Sequence, residues 1–266
     1  MAIKRLSDSQ LAHFDTEYVT PALWRMLTKH IDAAYPRGDF CFLDVGGGTG
    51  RFTDRILANY PQANGTILDN SPFLLGRNKP HPRKEFVEDC AAHIDRLPRH
   101  YDLVFFNWVL HHLVGEDYRE SVSHAERALR AAAKLLTPRG HISIFENIYE
   151  GLIIGNAPGR IIFQLTSAKS IAPLIHRLGA NTARIGVCFQ SRVGWERILR
   201  NAGVTSLEYE ADGPRRVPWP WMAFLHVGEL RHGIYWGATA ANARLQMRAV
   251  RGRPSELHQR ISHPDD

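Results

Sequence analysis

Cysteine is scarce in this chain of 266 residues, with three thiols, Cys41, Cys90 and Cys188, far apart. Their odd number and the lack of any C-x-x-C pair argue against a disulfide framework and a zinc site, so reduced thiols and no metal are expected. No apolar run approaches the length of a membrane span, and the opening Met-Ala-Ile-Lys-Arg-Leu-Ser-Asp lacks the apolar core of a secretion signal. A cytoplasmic protein with no membrane span is the expectation. Acidic residues are in deficit, 27 against 33 Lys and Arg, for a formal charge of +6. Much of the excess is C-terminal, where Arg244, Arg248, Arg251, Arg253 and Arg260 face Glu256 and two terminal aspartates. Such a tail is more often solvated than a binding device, so charge makes a weak case for nucleic acid. No repeats are visible. Hydrophobic residues at 44% and charged residues at 23% are ordinary for a globular chain, and the length suits one large α/β domain.

The stretch from 40 to 52 reads Phe-Cys-Phe-Leu-Asp-Val-Gly-Gly-Gly-Thr-Gly-Arg-Phe. An apolar run of strand length ends at Asp44 and Val45, glycines occupy 46, 47, 48 and 50, and Phe52, Ile56 and Leu57 open a helical period. This is a strand, a tight turn and a helix start. Glycine is needed where a Cβ would obstruct the backbone, and where a ligand lies against the main chain near a helix N-terminus. The dinucleotide fingerprint is not met: with Gly46 and Gly48 as its first two glycines, the third position holds Arg51. Asp44 separates the readings further, because a carboxylate beside that turn repels a pyrophosphate and attracts a cationic ligand.

Gly65-Thr66-Ile67-Leu68 reads as a second strand ending at Asp69, with Asn70-Ser71-Pro72 opening a helix. Asp69 lies about 20 residues beyond the glycine turn, where a Rossmann-like fold places the carboxylate that accepts from both ribose hydroxyls. Lys84 to Cys90 is a short strand leading to the acidic pair Glu88 and Asp89. Leu103 to Phe106 has the continuous apolar character of a central parallel strand, and Asn107 ends it. Ligands of open α/β sheets bind outside such ends, so Asn107 through His112 are expected to face cofactor and substrate. His111, ahead of His112, suits a general base for a hydroxyl or amine; a histidine bonded to backbone is the plainer alternative. Neighbours on a helix point about 100° apart, so the two imidazoles are not expected to share a ligand. A helix over 121–136 ends at Thr137-Pro138-Arg139-Gly140, and His141 to Glu146 is the fifth strand. Glu146, at its end, is a second candidate base, an orienting acceptor or a solvated glutamate.

Residues 6–35 show helical spacing broken at Pro21, with Phe14, Tyr18 and Trp24 either lining the site or packing on the domain. Residues 147–190 depart from the minimal fold, with helical stretches near 160–168 and 172–178 that suit a cap over the substrate. Ser191 to Gly203 is a serine-capped helix with a glycine stop. Residues 205–210 and 221–227 read as a terminal hairpin, joined by Pro218-Trp219-Pro220-Trp221, an aromatic loop either packed on the core or touching substrate.

The segment from Asp44 to Gly50 resembles motif I of the class I, Rossmann-like S-adenosylmethionine-dependent methyltransferases. Asp69-Asn70-Ser71-Pro72 resembles their motif II, and Asn107-Trp108-Val109-Leu110-His111-His112-Leu113 resembles motif IV of the small-molecule and quinone-biosynthesis types. The Asn/Asp-Pro-Pro-Tyr/Phe and Pro-Cys signatures of DNA methylating enzymes are missing, which makes nucleic acid a minor alternative. The resemblance covers roughly residues 40–227 and is specific in its ordered combination. It implies an α/β fold: a seven-stranded, mostly parallel sheet with an antiparallel C-terminal hairpin, helices on both faces, an N-terminal helical segment (1–36) and a helical cap after strand 5 (147–190). One domain over 1–236 and a basic tail over 237–266 are expected. S-adenosyl-L-methionine is the implied donor, held by Asp44, Gly46, Gly48, Gly50, Asp69, Asn70, Asp89, Cys90 and Asn107, with Asp89 on the adenine amino group and the backbone of Cys90 beside the ring. His111 and Glu146 are the candidate catalytic residues. The implied reaction is in-line methyl transfer to an oxygen or nitrogen of a small molecule, carbon being less favoured. Cyclisation or aminocarboxypropyl transfer, RNA or protein methylation, and a non-catalytic binding protein are the alternatives.

Overall fold

A computed structural model describes residues 3–11 and 19–251. Seven strands, β1 (Cys41–Val45), β2 (Asn64–Asp69), β3 (Lys84–Glu88), β4 (Tyr101–Asn107), β5 (Leu136–Gly151), β6 (Val204–Ala211) and β7 (Val227–Thr239), form one sheet in the order β3-β2-β1-β4-β5-β7-β6. β1 to β5 pair in parallel, and β7 runs antiparallel to both β5 and β6. The Rossmann-like sheet that the family resemblance implied is therefore present, antiparallel edge included.

Local chemistry explains where the helices start. A short helix, α1 (Asp8–Leu11), precedes α2 (Pro21–Ala34), where the Thr20 side chain accepts from Leu23 N and Pro21 takes a position that needs no donor. α3 (Arg51–Asn59) springs from Gly50, whose φ of 75° lies in the left-handed region. Ser71, Asp117 and Ser191 cap α4 (Pro72–Leu75), α5 (Tyr118–Lys134) and α8 (Arg192–Asn201); between the last two lie α6 (Ala157–Ser167) and α7 (Ala172–Arg177).

The core has two layers separated by the sheet. Along β4, Leu103 and Phe105 face Leu23, Leu27, Phe52 and Ile56 of α2 and α3, whereas Val104 and Phe106 face Ala125, Leu129, Ile198 and Leu199 of α5 and α8. A strand buried on both sides has no polar alternation, which is why β4 reads as an unbroken apolar run.

The C-terminal third departs from the sequence reading. Residues 219–225 form a helix, α9 (Trp219–Leu225), and the last strand is β7, which starts at Val227 where the expected strand ended. Pro218 and Pro220 fix backbone angles suited to a helix start and withhold ladder donors, so the aromatic residues around them could not be a strand. Regular structure continues through α10 (Ala240–Arg251), beyond the boundary at 236 that charge suggested. Trp219 and Trp221 are 77% and 38% exposed rather than packed on the core. Trp24 packs edge-on against Phe52 and under Arg55, as a core residue; Phe14 and Tyr18 lie outside the described residues. Among the described residues no helix is long and apolar enough to cross a membrane.

Phe105 touches Phe42 and Phe52 edge-on from the middle of the sheet. Replacing it with alanine should lower unfolding free energy by about 3–5 kcal/mol, measured by urea titration.

Candidate active site

All five parallel strands end on one edge of the sheet, and a cavity of about 550 Å³ lies against that edge. Its floor is the turn after β1. Gly46 and Gly48 have φ of 72° and 52°, and Gly46 N donates to Leu68 O at 2.7 Å, tying the turn to β2. A Cβ at Gly47 would come within 2.6 Å of Asp44 Oδ2, so this residue stays bare because the carboxylate is packed beneath it. Asp44 is 1% exposed and takes a 2.8 Å hydrogen bond from the Thr53 hydroxyl on α3.

Asp69 faces the turn from the end of β2. Its Oδ2 accepts from Gly48 N and its Oδ1 from Ser71 N, both at 2.9 Å. Burial raises its pKa, and the backbone donors of Ser71, Gly48 and Asn70 pull the other way. Each oxygen keeps further acceptor capacity on the cavity side, where Asn70 also lies. Asp89 follows β3; its Oδ1 accepts from Cys90 N and contacts His93 Nδ1, both at 2.7 Å, and the His93 bond lowers its pKa. Cys90 N is thus engaged by its neighbour, and the wall beyond it is Ala91.

Asn107 ends β4 with its amide buried, and neither Nδ2 nor Oδ1 has a hydrogen-bond partner. An unpaired buried amide costs about 1–3 kcal/mol per group, and this one lines the cavity. Trp108 comes next with a φ of 52°, a left-handed conformation that costs a bulky residue about 1–3 kcal/mol. It is held by Trp108 N to Phe145 O at 2.9 Å, by stacking on Phe145 at 5.4 Å and by Nε1 to Asn147 Oδ1 at 3.3 Å.

The two histidines sit on a single tight turn, Leu110–His112, not on an α-helix. Their ring centroids are 4.1 Å apart and both residues line the cavity. His111 Nδ1 lies 2.6 Å from Glu146 Oε2, while Oε1 accepts from Leu110 N at 3.1 Å and His111 N at 3.3 Å. Glu146 is 0% exposed and is not part of the cavity wall, so the candidate base of the sequence reading is an orienting acceptor behind His111. Burial pushes the His111 imidazole down to about 3 and the Glu146 carboxyl well above its ordinary range. Between them they hold one proton.

Sequence reasoning missed Asn147 and His232, which pair across β5 and β7 and line the cavity beyond Trp108. His232 stands edge-on to Trp108 at 5.6 Å, and Arg215 Nη2 lies 3.0 Å from its Nδ1. A guanidinium only donates, so Nδ1 accepts and the proton of the neutral ring is on Nε2. Burial first, then Arg215, lowers the His232 pKa, against Asp212. Also missed was the segment Ile3–Leu6, which borders the cavity and is fixed by Lys4 N to Val114 O at 2.9 Å. Nothing in its composition signalled this.

A glycine turn between Asp44 and Asp69, with an acidic wall at Asp89 and an unpaired amide at Asn107, lines one side of the cavity of this α/β domain. Residues 43–142 match a family model described as a methyltransferase domain. It is 28% identical over 151 residues to N-terminal Xaa-Pro-Lys N-methyltransferase 1 of Danio rerio, covering 54% of this chain and 60% of that protein. It is 22% identical over 182 residues to malonyl-[acyl-carrier protein] O-methyltransferase of Paenibacillus sp. (strain JDR-2), covering 64% of this chain and 57% of that protein. It is 30% identical over 107 residues to demethylmenaquinone methyltransferase of Chlamydia trachomatis serovar L2, covering 39% of this chain and 43% of that protein. The chain thus spans less than two thirds of each of these relatives.

Two outcomes test this geometry. Asp69→Ala should weaken S-adenosylhomocysteine binding by about 1–3 kcal/mol in calorimetry, and unchanged affinity would remove Asp69 from the donor site. The buried pair sets a pH window. The folded pair keeps one proton from about pH 3 up to the raised range in which Glu146 ionises. With ordinary values of 4.5 and 6.5, the unfolded chain carries two protons below the first, one between them and none above the second. The pair's stabilisation is therefore greatest between those pH values, and lost both as pH falls below and as it rises above them. Melting curves of the protein against a Glu146→Gln/His111→Gln variant across pH 4 to 9 should show that maximum.

Proposed function

We propose that the protein transfers a methyl group from S-adenosylmethionine to an oxygen or nitrogen nucleophile of a small molecule, in the cytoplasm, with His111 as the catalytic base. The observation that carries this reading is the contact of His111 with Glu146, His111 lining the same cavity as Asp44, Asp69 and Asn107. Asp69 would hold the ribose hydroxyls, Asp89 the adenine amino group, and Asp44 the positive end of the donor, with the bare backbone of the glycine turn allowing close approach. Bound donor supplies an electrophilic methyl on a sulfonium, chemistry that needs no help from the protein beyond orientation and exclusion of water.

The protein's own task is to place the acceptor and take its proton. His111 is neutral, and while Glu146 keeps its proton that proton faces Nδ1 and the ring proton lies on Nε2. Once the Glu146 proton has left for solvent, the ring proton sits on Nδ1 toward the carboxylate, Nε2 takes the acceptor's proton and the carboxylate balances the new imidazolium, so Glu146 is a positioning residue and His111 the group that touches substrate. The Nε2–H of His232 is a donor for an acceptor oxygen, beside the indole of Trp108. Ile3–Leu6 closes one side of the space, which favours a small acceptor over a folded macromolecule.

The test is turnover on phenols, carboxylates and amines with labelled donor. S-adenosylhomocysteine should accumulate, whereas methylthioadenosine would indicate cyclisation or aminocarboxypropyl transfer. His111→Gln should lower turnover about 10²–10⁴-fold while S-adenosylhomocysteine still binds. A fully active variant would mean the acceptor needs no base.

A further inference from the structure

Of residues 148–190, none lines the cavity; its wall passes from Leu113 to Asn147 and on to His232. The end of this insertion stands instead behind the turn that carries His111. β4 stops at Asn107, opposite Phe145, and leaves that side of β5 open beyond it. Residues 188–190 take the vacated place: Gln190 pairs in parallel with Ile148, Tyr149 N donates to Gln190 O at 3.1 Å, and Cys188 N donates to His111 O at 2.9 Å. The segment is thus bonded to the strand on one side and to the His111 main chain on the other.

Between those two bonds lies Phe189. Its ring centroid is 4.7 Å from that of His111 and 4.7 Å from that of Tyr149. Phe189 is half-buried and outside the cavity wall, so part of its ring is against the imidazole and part meets solvent. Its main chain is closely held: Tyr118 Oη donates to Phe189 O at 3.0 Å, and Gly159 of α6 comes so near that a Cβ there would lie 2.1 Å from the same oxygen. Gln190, next to it, is 1% exposed and accepts at Oε1 from Asn156 Nδ2 at 2.9 Å. These bonds fix one ring in one place. We propose that Phe189 is a positioning residue, whose ring covers the His111 imidazole from outside the cavity and keeps water away from the contact between His111 and Glu146.

The cover acts on the proton that His111 and Glu146 share. A buried carboxyl ionises with difficulty, and the penalty falls as water approaches it. The titratable groups facing the imidazole are Glu146 from β5 and His112 on its own turn; Cys188 and Tyr149 flank Phe189, α5 brings Tyr118, and Arg160 of α6 lies 5.3 Å from the Tyr118 ring centre. Burial disfavours the charged form of Glu146, His112, Cys188, Tyr149 and Tyr118 alike. Removing the Phe189 ring therefore changes the hydration of the pair without adding or deleting a charge. Its effect on turnover rests on the proposed role of His111 as base, whereas the cover itself is a property of the fold.

The experiment needs no acceptor. In protein carrying isotope-labelled histidine, nuclear magnetic resonance should show the ring proton of His111 passing from Nε2 to Nδ1 as Glu146 ionises with rising pH. The midpoint of that change should fall by about 1 pH unit or more in Phe189→Ala, because water then reaches the carboxyl, and stay in place in Phe189→Leu, which keeps the cover. Phe189→Val should give a smaller fall of the same sign, and it serves if the alanine variant does not fold. Turnover should follow, its rising limb moving to lower pH in Phe189→Ala by the same interval while KM for S-adenosylmethionine is retained, and leucine restoring it. An unmoved midpoint in both truncated variants would overturn the proposal. A midpoint that falls while the turnover profile stays as it was would support the cover and remove His111 as the base.

Discussion

A sheet covered by helices on both faces can be approached by a ligand only at its edges, and that constraint governs everything else in this molecule. Leu103 to Phe106 are fully buried between the α2/α3 layer and the α5/α8 layer, so no polar group can serve a ligand from the middle of β4. The first polar side chain free to do so is Asn107, at the strand's last residue. The same reasoning places Asp69 at the end of β2 and Asp89 just past β3. Parallel pairing then brings these ends to one side, and β1, between β2 and β4, puts its glycine turn at the centre of them.

Glu146 is the exception that the constraint makes informative. It belongs to β5 but is fully buried, and a charge there needs partners. It finds them in the turn that comes after β4, through two backbone N–H groups and the His111 ring. The turn and the strand are thereby fixed to each other by a carboxyl that solvent does not reach. In the proposed chemistry His111 is a weak proton acceptor when the cleft is dry, and the Glu146 carboxylate, once ionised, stabilises the imidazolium as it forms. The same bond therefore supports both the local fold and the proposed chemistry.

How much of this was legible in the sequence depends on the range of each interaction. The turn at 46–50, Asp69 and Asn107 are marked by local signals, namely glycine where a Cβ is not tolerated and a polar residue at the end of an apolar run. The partnership of His111 with Glu146 was hidden, since it depends on the register that sets Asn107 against Phe145 across β4 and β5. His232 was hidden for a similar reason. It sits in β7, whose Gly228, Glu229, Arg231 and Gly233 blur the alternation of a strand, and its pairing with Asn147 is set by a long-range antiparallel register. The exposed α9 was misread because aromatic residues between prolines have the composition of a strand without its hydrogen-bonding capacity.

The two halves of the sheet also differ in how far likeness reaches. The groups proposed to hold the donor, from Asp44 to Asn107, all lie within residues 43–142, the stretch that matches the methyltransferase domain. Asn147 and His232, which face the rest of the cavity with Trp108, lie outside it, as do the loop after β5 and α9. The three relatives carry names with different acceptors, a protein N-terminus, an acyl-carrier-linked malonyl group and a quinone precursor. The glycine turn, Asp69 and Asn107 thus belong to the matched stretch, whereas Asn147 and His232, which line the rest of the cavity, come from the antiparallel pairing of β5 with β7 and depend on a register that no local motif sets.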